Sequence, residues 1–406
     1  LKPLALSPAT LVPPLLRSCP HLSKMATQNR AWVYANTPED PYRGAASIYE
    51  LRSVEMPEAK EGEVLLRLTT ISIAPHVRAF LELPGNDVGA EELGLQRWKL
   101  GEVVGVEAIA EVVESKTKSY KVGDRIWIPD TRMVEYCVRR GDGKDTKDGM
   151  PPIKVPSFVK TETMLSTCTP AGGLTAYCAI NDHECGRVDE PGLMGCLMGC
   201  FPVRASKRKT VLVTSAAGGV GIVACQLYKN KGCKVIGVTS TREKADKLLE
   251  YGCDHAIAYR TENLDERLSE LAPEGLDVFL DNVGATQLDD GSKHMKIKGR
   301  VIQVGCQAEI DHYCTGKLSG WKEYHRMAAR EMRVGGFLML NHLAKVPVAL
   351  MALALKIRSG KVKPAETVVN AGFEAWASCV DRIHEGDTFG RLLLSLPPPS
   401  ETEKGA

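Results

Sequence analysis

Residues 210–244 read TVLVTSAAGGVGIVACQLYKNKGCKVIGVTSTREK, and this stretch decides the fold of the chain. It opens with the apolar run 211–213, which is typical of a strand buried on both faces. After a turn of small residues, apolar side chains recur at the spacing of one helix face, at Val220, Val223, Ala224 and Leu227. Gly232 is expected to end that helix, because glycine adopts the left-handed conformation without steric cost. The run 234–238 predicts a second strand, so the stretch forms a strand–helix–strand unit.

The turn of this unit reads A-x-G-x-x-G across Ala216, Gly218 and Gly221. Small residues there let the backbone approach a pyrophosphate, and the helix N-terminus offers free N–H groups and a positive dipole end. A glycine-rich turn alone is a weak signal, since tight turns without a ligand are common. Here it follows a strand and opens a helix, and that context predicts a dinucleotide-binding site.

The end of the second strand distinguishes between cofactors. An NAD site usually has Asp or Glu there to bind the ribose hydroxyls. Residues 239–244 are TSTREK instead, and the Ser240 hydroxyl with the cations of Arg242 and Lys244 suits a 2′-phosphate. The alternative is that both cations are solvated charges opening the next helix. Because cations at a helix N-terminus oppose the dipole, we favour NADP(H).

Composition sets the limits on function. The chain has 406 residues, 44% of them hydrophobic and 25% charged, which is ordinary for a globular protein with room for two domains. A net charge of +2 gives no reason to expect a nucleic-acid partner, and no apolar run suggests a membrane span. The thirteen scattered cysteines are typical of buried thiols in a reducing compartment.

The first residues differ from the rest. Residues 1–24 contain five prolines and no acid, and we treat residues 1–29 as a tail or targeting segment. Three interpretations stay open: a transit peptide, a disordered tail, or sequence upstream of a start at Met25. We expect a cytoplasmic protein, with an organellar location as the alternative if residues 1–24 are a transit peptide.

The remaining chain divides into two predicted domains. Residues 30–157 contain short strands separated by glycine and proline turns, which indicates a β-rich, barrel-like domain. Residues 158–360 alternate strands and helices, which predicts a doubly wound parallel sheet covered on both faces. Its predicted elements include a helix over 264–271, a buried strand over 276–280 and a last strand over 332–340. The last elements, in 361–406, are expected to return to the β-rich domain.

A long segment at 186–209 interrupts the second domain. It carries the tandem repeat LMGCLMGC and no clear periodicity, so we expect a surface insertion. Five residues in and near it raise the question of zinc, and their spacing matches no strong zinc signature: Cys178, His183, Cys185, Cys196 and Cys200.

Seven motifs occur in the order of a known superfamily: SIAPHVR at 72–78, GGLTAY at 172–177, VLVTSAAGGVG at 211–221, KGCKVIG at 231–237, DNVG at 281–284, MRVGGF at 332–337 and GFEAW at 372–376. Through them the chain resembles zinc-independent medium-chain dehydrogenases/reductases, in the branch of prostaglandin/leukotriene reductases and alkenal double-bond reductases. The resemblance implies an α/β protein with a Rossmann-type sheet, a GroES-like β-rich domain, bound NADP(H) and a homodimer.

The resemblance also implies roles for individual residues. The pyrophosphate would lie against Ala217, Gly218, Gly219, Val220 and Gly221. The 2′-phosphate and adenosine ribose would contact Lys244 and Tyr259, beside Ser240 and Arg242. The nicotinamide end would be held by Asn282, Val304, Gly305, Cys306, Phe337, Leu338 and Met339. The family's late asparagine against the cofactor corresponds to Thr388, whose single hydroxyl is shorter.

Zinc-dependent relatives carry Gly-His-Glu in the first domain, and the corresponding Gly105-Val106-Glu107 has no histidine. We therefore predict no metal, which disfavours alcohol oxidation and leaves reduction of an activated C=C bond in an enone or enal. An NADPH quinone reductase and a non-catalytic NADPH-binding protein are the alternatives. The proton donor stays unknown: the family's tyrosine corresponds to Ile310, Tyr313 lies nearby, and water or a cofactor hydroxyl would also serve. His76 either faces the substrate or fills a partly buried position.

Overall fold

The computed structural model describes residues 29–37, 44–81, 97–145, 152–184, 208–309 and 318–398. Its strands are β1 Asn29–Tyr34, β2 Tyr49–Val54, β3 Glu63–Ile73, β4 Gly105–Ser115, β5 Arg125–Arg132, β6 Tyr136–Arg140, β7 Ile153–Lys154, β8 Thr210–Val213, β9 Lys234–Thr239, β10 His255–Ala258, β11 Leu276–Asp281, β12 Met295–Gln303, β13 Arg333–Gly336, β14 Glu366–Asn370 and β15 Arg391–Ser395. Its α-helices are α1 Ala45–Ile48, α2 Thr161–Thr167, α3 Gly173–Glu184, α4 Gly219–Asn230, α5 Arg242–Leu249, α6 Leu264–Leu271, α7 Ala285–Lys293, α8 Arg326–Ala329, α9 Val346–Arg358 and α10 Trp376–Glu385.

A six-stranded parallel sheet forms the centre of the second half of the chain. Its strand order is β10-β9-β8-β11-β12-β13. Counted from β8, this is the order 3-2-1-4-5-6 of a Rossmann sheet, which confirms the predicted fold class. The order reverses between β8 and β11, so the crevice for a ligand lies at their carboxyl ends.

The predicted strand–helix–strand unit is confirmed in detail. Val211 and Val213 of β8 are fully buried in one hydrophobic cluster, and Leu212 is fully buried in the cluster on the opposite face. Helix α4 packs its apolar side onto the sheet through Val223 and Leu227, each contributing about 1.5–3 kcal/mol by burial. The helix ends at Asn230, and Gly232 adopts a φ of 81°.

A second, seven-stranded sheet gathers the β-rich elements. Its strand order is β14-β15-β3-β4-β5-β7. Strand β6 pairs with residues 63–67 of β3, and β15 pairs with residues 70–73 of the same strand. Strand β15 lies parallel to β14 and antiparallel to β3, so the end of the chain returns to this sheet. The domain boundaries at 157, 158 and 360 stay predictions.

An aromatic contact attaches the late helix α10 to the first strand. Trp376 is fully buried, with its ring centroid 5.5 Å from that of Trp32 and 4.9 Å from that of Tyr49. The indole nitrogen of Trp32 donates a hydrogen bond of 3.0 Å to the carbonyl of Phe373. The GFEAW motif therefore serves to pack the C-terminal helix onto the β-rich core.

Of two boundaries drawn from the sequence, that of the insertion stays a prediction and that of the last strand of the parallel sheet is wrong. The predicted insertion 186–209 lies outside the described residues except at its end, where Arg208 and Lys209 belong to the folded domain. The carbonyl of Lys209 accepts a 2.8 Å bond from the amide of Lys234, and Arg208 pairs with Asp254 at 2.7 Å. The strand expected over 332–340 is confined to β13, and a 3₁₀ segment follows at Met339–Lys345.

The expectation that no apolar run could span a membrane needs correction. By length and composition alone, Met339–Arg358 is long and apolar enough to cross a membrane. Its mean hydropathy is 1.4, and 11% of its most apolar window is buried. The stretch is divided by a kink at His342. Its inner face contributes Ala349 and Leu353 to the core of the nucleotide-binding half, whereas Met351 is 64% exposed.

The eight cysteines among the described residues are free thiols. Six are buried, namely Cys168, Cys178, Cys225, Cys233, Cys253 and Cys379. Their placement agrees with the prediction that cysteine acts here mainly as a small apolar residue.

Candidate dinucleotide-binding site

The turn between β8 and α4 is built from close backbone contacts. A Cβ at Gly221 would lie 2.2 Å from the carbonyl oxygen of Ser215, so only glycine lets the helix start here. Ser215 itself has a positive φ of 49°. Gly218 is the N-cap of α4, and its Cβ would lie 3.0 Å from the Ser215 hydroxyl. This crowded turn leaves the first amides of a 12-residue helix facing the crevice, which fits a pyrophosphate.

The β-rich domain reaches this turn directly. The amide of Gly390 donates a 2.8 Å hydrogen bond to the carbonyl of Ala217, and Gly390 forms an isolated bridge with Gly218. Thr388, predicted to contact the cofactor, is half-buried in the same segment, two residues before Gly390. The candidate site is therefore closed on one side by the chain segment that leads into β15.

A cluster of polar groups lies at the end of β9, where the sequence predicts the 2′-phosphate. The ammonium of Lys244 donates to the carbonyl of Gly386, and the guanidinium of Arg260 donates to the carbonyl of Glu385 at 3.0 Å. Ser240 is buried, and its hydroxyl lies 3.9 Å from the Cβ position of Gly386. Burial lowers the pKa of Lys244 below its ordinary value. The two cations and the hydroxyl therefore lie around the same two residues, Glu385 and Gly386.

The residues predicted to contact the adenosine half of the cofactor differ in their exposure and in their partners. Arg242 pairs with Asp246 at 3.0 Å and lies 3.9 Å from Glu262, and its side chain is 64% exposed. Its contact with a phosphate stays a prediction. Tyr259 is 43% exposed at the end of β10, directly before Arg260. Sequence reasoning missed Arg260, although a cation following that tyrosine at the carboxyl end of a strand was a usable signal.

The predicted nicotinamide residues lie together at the carboxyl ends of three neighbouring strands. Asn282 follows β11, residues 304–306 follow β12, and residues 337–339 follow β13. The side-chain amide of Asn282 donates to the carbonyl of Thr214 at 2.7 Å, which fixes it beside the end of β8. Phe337 is buried and stacks on His342 with centroids 4.7 Å apart. This edge of the sheet fits the nicotinamide half of a dinucleotide.

The position that corresponds to the zinc motif holds a buried ion pair. Glu107 accepts a 3.2 Å bond from the indole of Trp127, and its other oxygen lies 3.8 Å from a guanidinium nitrogen of Arg391. Burial raises the pKa of Glu107, with Arg391 opposing that shift, and burial lowers the pKa of Arg391. The guanidinium also donates to the Ser72 hydroxyl at 2.8 Å and to the Ala171 carbonyl at 3.3 Å.

These residues do not fit a zinc centre. Glu107 faces the guanidinium of Arg391 at 3.8 Å, beyond hydrogen-bond distance, and that positive charge would repel a metal cation placed beside the carboxylate. Across the described ranges, no three residues among histidine, cysteine, aspartate and glutamate are grouped so as to hold a metal ion. Cys185, Cys196, Cys200, Ile310 and Tyr313 lie outside the described residues, as do the side chains of His76 and His183.

The Rossmann order, the crowded glycine turn and the cation cluster together define a dinucleotide-binding oxidoreductase with a separate β-rich domain. Comparison with known families supports this class of protein. Residues 219–353 match the family model described as "Zinc-binding dehydrogenase", and residues 30–145 match "N-terminal domain of oxidoreductase".

Three relatives refine this class. The chain is 30% identical to prostaglandin reductase 1 of Oryctolagus cuniculus over 347 residues, covering 85% of this chain and 87% of the relative. It is 25% identical to (+)-pulegone reductase of Mentha piperita, covering 84% and 90%. It is 34% identical to a probable quinone oxidoreductase of Leishmania amazonensis over 201 residues, covering 48% and 58%. The chain belongs to the medium-chain dehydrogenase/reductase superfamily, in the family that includes prostaglandin reductase 1.

Among solved structures, CurA from Vibrio vulnificus in complex with NADPH superposes with a TM-score of 0.73 at 21% identity. The match covers 91% of this chain and all of that one. At this identity the likeness concerns the fold, and it supports the two-domain architecture described above.

Replacing Lys244 or Arg260 by alanine should weaken NADPH binding roughly ten- to a hundredfold, because a charge-assisted hydrogen bond contributes about 1.5–3 kcal/mol. NADH, which lacks the 2′-phosphate, should bind with unchanged affinity. Calorimetric titration of each variant with both cofactors measures this.

Arg242→Ala is the matched control, since it removes the same charge from a side chain that pairs with Asp246. We expect a smaller loss than in the other two variants. If all three variants weaken NADPH and NADH equally, the 2′-phosphate does not bind at this cluster.

Proposed function

We propose that the protein reduces the C=C bond of α,β-unsaturated ketones and aldehydes with NADPH, without a metal ion. The observation that carries the proposal is the buried contact of Glu107 with Arg391, because it lies where the sequence corresponds to the Gly-His-Glu motif of zinc-dependent relatives, beside an NADP-type nucleotide domain. Similarity to prostaglandin reductase 1 over 85% of the chain, and to (+)-pulegone reductase, supports an activated C=C bond as the reacting group.

In this proposal, the residues of the site bind and orient the reactants. Lys244 and Arg260 bind the 2′-phosphate, and the turn at 217–221 binds the pyrophosphate through amides of α4. Asn282 and the segments at 304–306 and 337–339 orient the nicotinamide end toward the β-rich domain. When bound, NADPH supplies the hydride that the β-carbon of the substrate accepts.

The choice of the C=C bond follows from where charge develops. Addition of hydride to a β-carbon spreads negative charge onto the carbonyl oxygen as an enolate, which hydrogen-bond donors stabilise. Reduction of an isolated carbonyl concentrates the charge on one alkoxide oxygen, which requires a strong acid or a metal ion nearby. The described residues around Glu107 offer no such metal site.

A quinone reductase is the second candidate. The probable quinone oxidoreductase of Leishmania amazonensis shares 34% identity over about half of the chain. A quinone also contains C=C bonds conjugated to carbonyls, so the same cofactor geometry would serve it. The rates of NADPH oxidation with enones and with quinones, measured side by side under the same conditions, distinguish the two functions.

We also propose a homodimer formed through β13. This strand is the last in the six-stranded sheet, and its Val334 is 42% exposed. The amide of Phe337 donates to the carbonyl of Gln303 on β12. Because backbone amides along a strand point alternately to its two sides, the amide of Val334 points to the open edge. An open edge strand is suited to antiparallel pairing with the same strand of a second copy, in a symmetric contact.

We further propose that the protein is cytoplasmic and does not insert Met339–Arg358 into a membrane. Lys345 forms 2.7 Å bonds to both carboxylate oxygens of Asp182 on α3, and Leu353 is fully buried. Insertion would break this packing. Cell fractionation should recover the protein in the soluble fraction without detergent, and recovery only with detergent would contradict the proposal.

Product analysis tests the reaction. With NADPH and a simple enone, the expected product is the saturated ketone, with the carbonyl intact. An allylic alcohol as the main product would refute the proposal. After dialysis against a chelator the rate should be unchanged, whereas a loss that zinc restores would show that a metal takes part.

Val334→Pro tests the dimer. Proline removes the outward amide and should shift the protein to monomers, since proline is tolerated on edge strands but cannot donate to a second copy. Val334→Thr keeps the amide and should stay dimeric. Light scattering after size exclusion reads the mass, and a dimeric proline variant would place the interface elsewhere.

A further inference from the structure

Asp281 is the last residue of β11, and its side chain is fully buried at the point where the strand order reverses. Its two carboxylate oxygens accept four hydrogen bonds. Oδ1 accepts from the hydroxyl of Thr214 at 2.6 Å and from the amide of Val283 at 3.1 Å. Oδ2 accepts from the amide of Gly284 at 2.8 Å and from the side chain of Gln303 at 2.9 Å.

All four partners act as donors. The Thr214 oxygen accepts a 2.9 Å bond from the amide of Asn282, so its own proton is directed to Asp281. The Gln303 nitrogen also donates to the carbonyl of Gly305 at 2.5 Å. Burial raises the pKa of Asp281, and its four partners oppose that shift. Four donors around two oxygens fit the ionised carboxylate.

These bonds connect three separate strand ends. Thr214 follows β8, residues 282–284 follow β11, and Gln303 ends β12. The backbone carbonyl of Asp281 adds bonds from the amides of Val304 at 2.8 Å and Gly305 at 3.3 Å. A Cβ at Gly305 would lie 2.9 Å from the carbonyl oxygen of Asn282, so the two turns are in direct contact. One carboxylate therefore sets the relative positions of the segments assigned to the nicotinamide.

We infer that Asp281 is a positioning residue for the nicotinamide half of bound NADPH, acting through Asn282 and residues 304–306 rather than by touching the cofactor. The inference rests on the proposed function, because it assigns those segments to the nicotinamide. The adenosine half would bind at Ser240, Lys244 and Arg260, and none of the four side-chain hydrogen bonds of Asp281 described above extends to these residues. The two halves of the cofactor should therefore respond differently to loss of this carboxylate.

Asp281→Asn provides the test, since it keeps the shape and replaces one acceptor oxygen by an NH₂ group facing a donor. Affinity for NADPH should fall about tenfold or more, because buried donors lose a charged acceptor. Affinity for 2′,5′-ADP, which carries only the adenosine half, should be unchanged. Calorimetry measures both, and single-turnover oxidation of NADPH by an enone should also slow.

Asp277→Asn is the matched control. Asp277 lies at the opposite end of the same strand, where one oxygen accepts from the amide of Thr210 and from Lys296, each at 2.8 Å. This variant should bind NADPH and 2′,5′-ADP like the wild type. Thr214→Val is a second test variant, because it removes one donor to Asp281 at nearly constant volume. If Asp281→Asn fails to fold, the affinities of Thr214→Val for NADPH and 2′,5′-ADP decide the test.

The outcomes are distinct. Selective loss of NADPH affinity supports the inference. Equal loss of NADPH and 2′,5′-ADP affinity, or no loss of either, overturns it and leaves the proposed function intact. A wild-type protein that does not bind NADPH overturns the proposed function, and this inference with it.

Discussion

The approach of helix α4 to the turn after β8 is the constraint on which the rest of the structure depends. At Gly221 a side chain would collide with the Ser215 carbonyl at 2.2 Å and with the Ala216 Cα at 2.8 Å. Because the helix begins this close to the strand, its free amides lie directly above the carboxyl end of the sheet. The same turn offers the Ala217 carbonyl to Gly390, so the position of the β-rich domain also follows from it.

Local patterns predicted the elements of the nucleotide-binding half well. The helix Leu264–Leu271 was predicted with both of its ends, and its leucines follow helical spacing. In the structure Asn263 caps it by accepting bonds from two amides of the first turn. Buried strands such as β8 and β11 were recognisable by their apolar runs. The strand predicted over 332–340 was too long, since apolar residues in a 3₁₀ segment packed on α3 resemble a strand in sequence.

The polar networks could not be predicted, because their members are far apart in the chain. Glu107 and Arg391 meet only when β15 enters the seven-stranded sheet, and the donors to Asp281 lie at the ends of three strands. Breaking a buried pair by removing one partner typically costs about 3–5 kcal/mol, since the remaining charge is left uncompensated. Such a pair fixes how the last strand and β4 are arranged, which residue spacing alone does not reveal.

Strand β15 has a consequence for how the protein is made. It fills the place between β14 and β3, and its residues 392–395 pair with residues 70–73, from the opposite end of the chain. During synthesis the β-rich sheet therefore stays incomplete until Arg391–Ser395 has been translated. The Rossmann sheet, whose strands follow one another closely, is complete earlier and would fold first, as a nested unit within an unfinished domain. The nascent chain thus leaves residues 70–73 of β3 unpaired on one edge until β15 has been translated, which makes this sheet the part of the described chain most dependent on protection from aggregation.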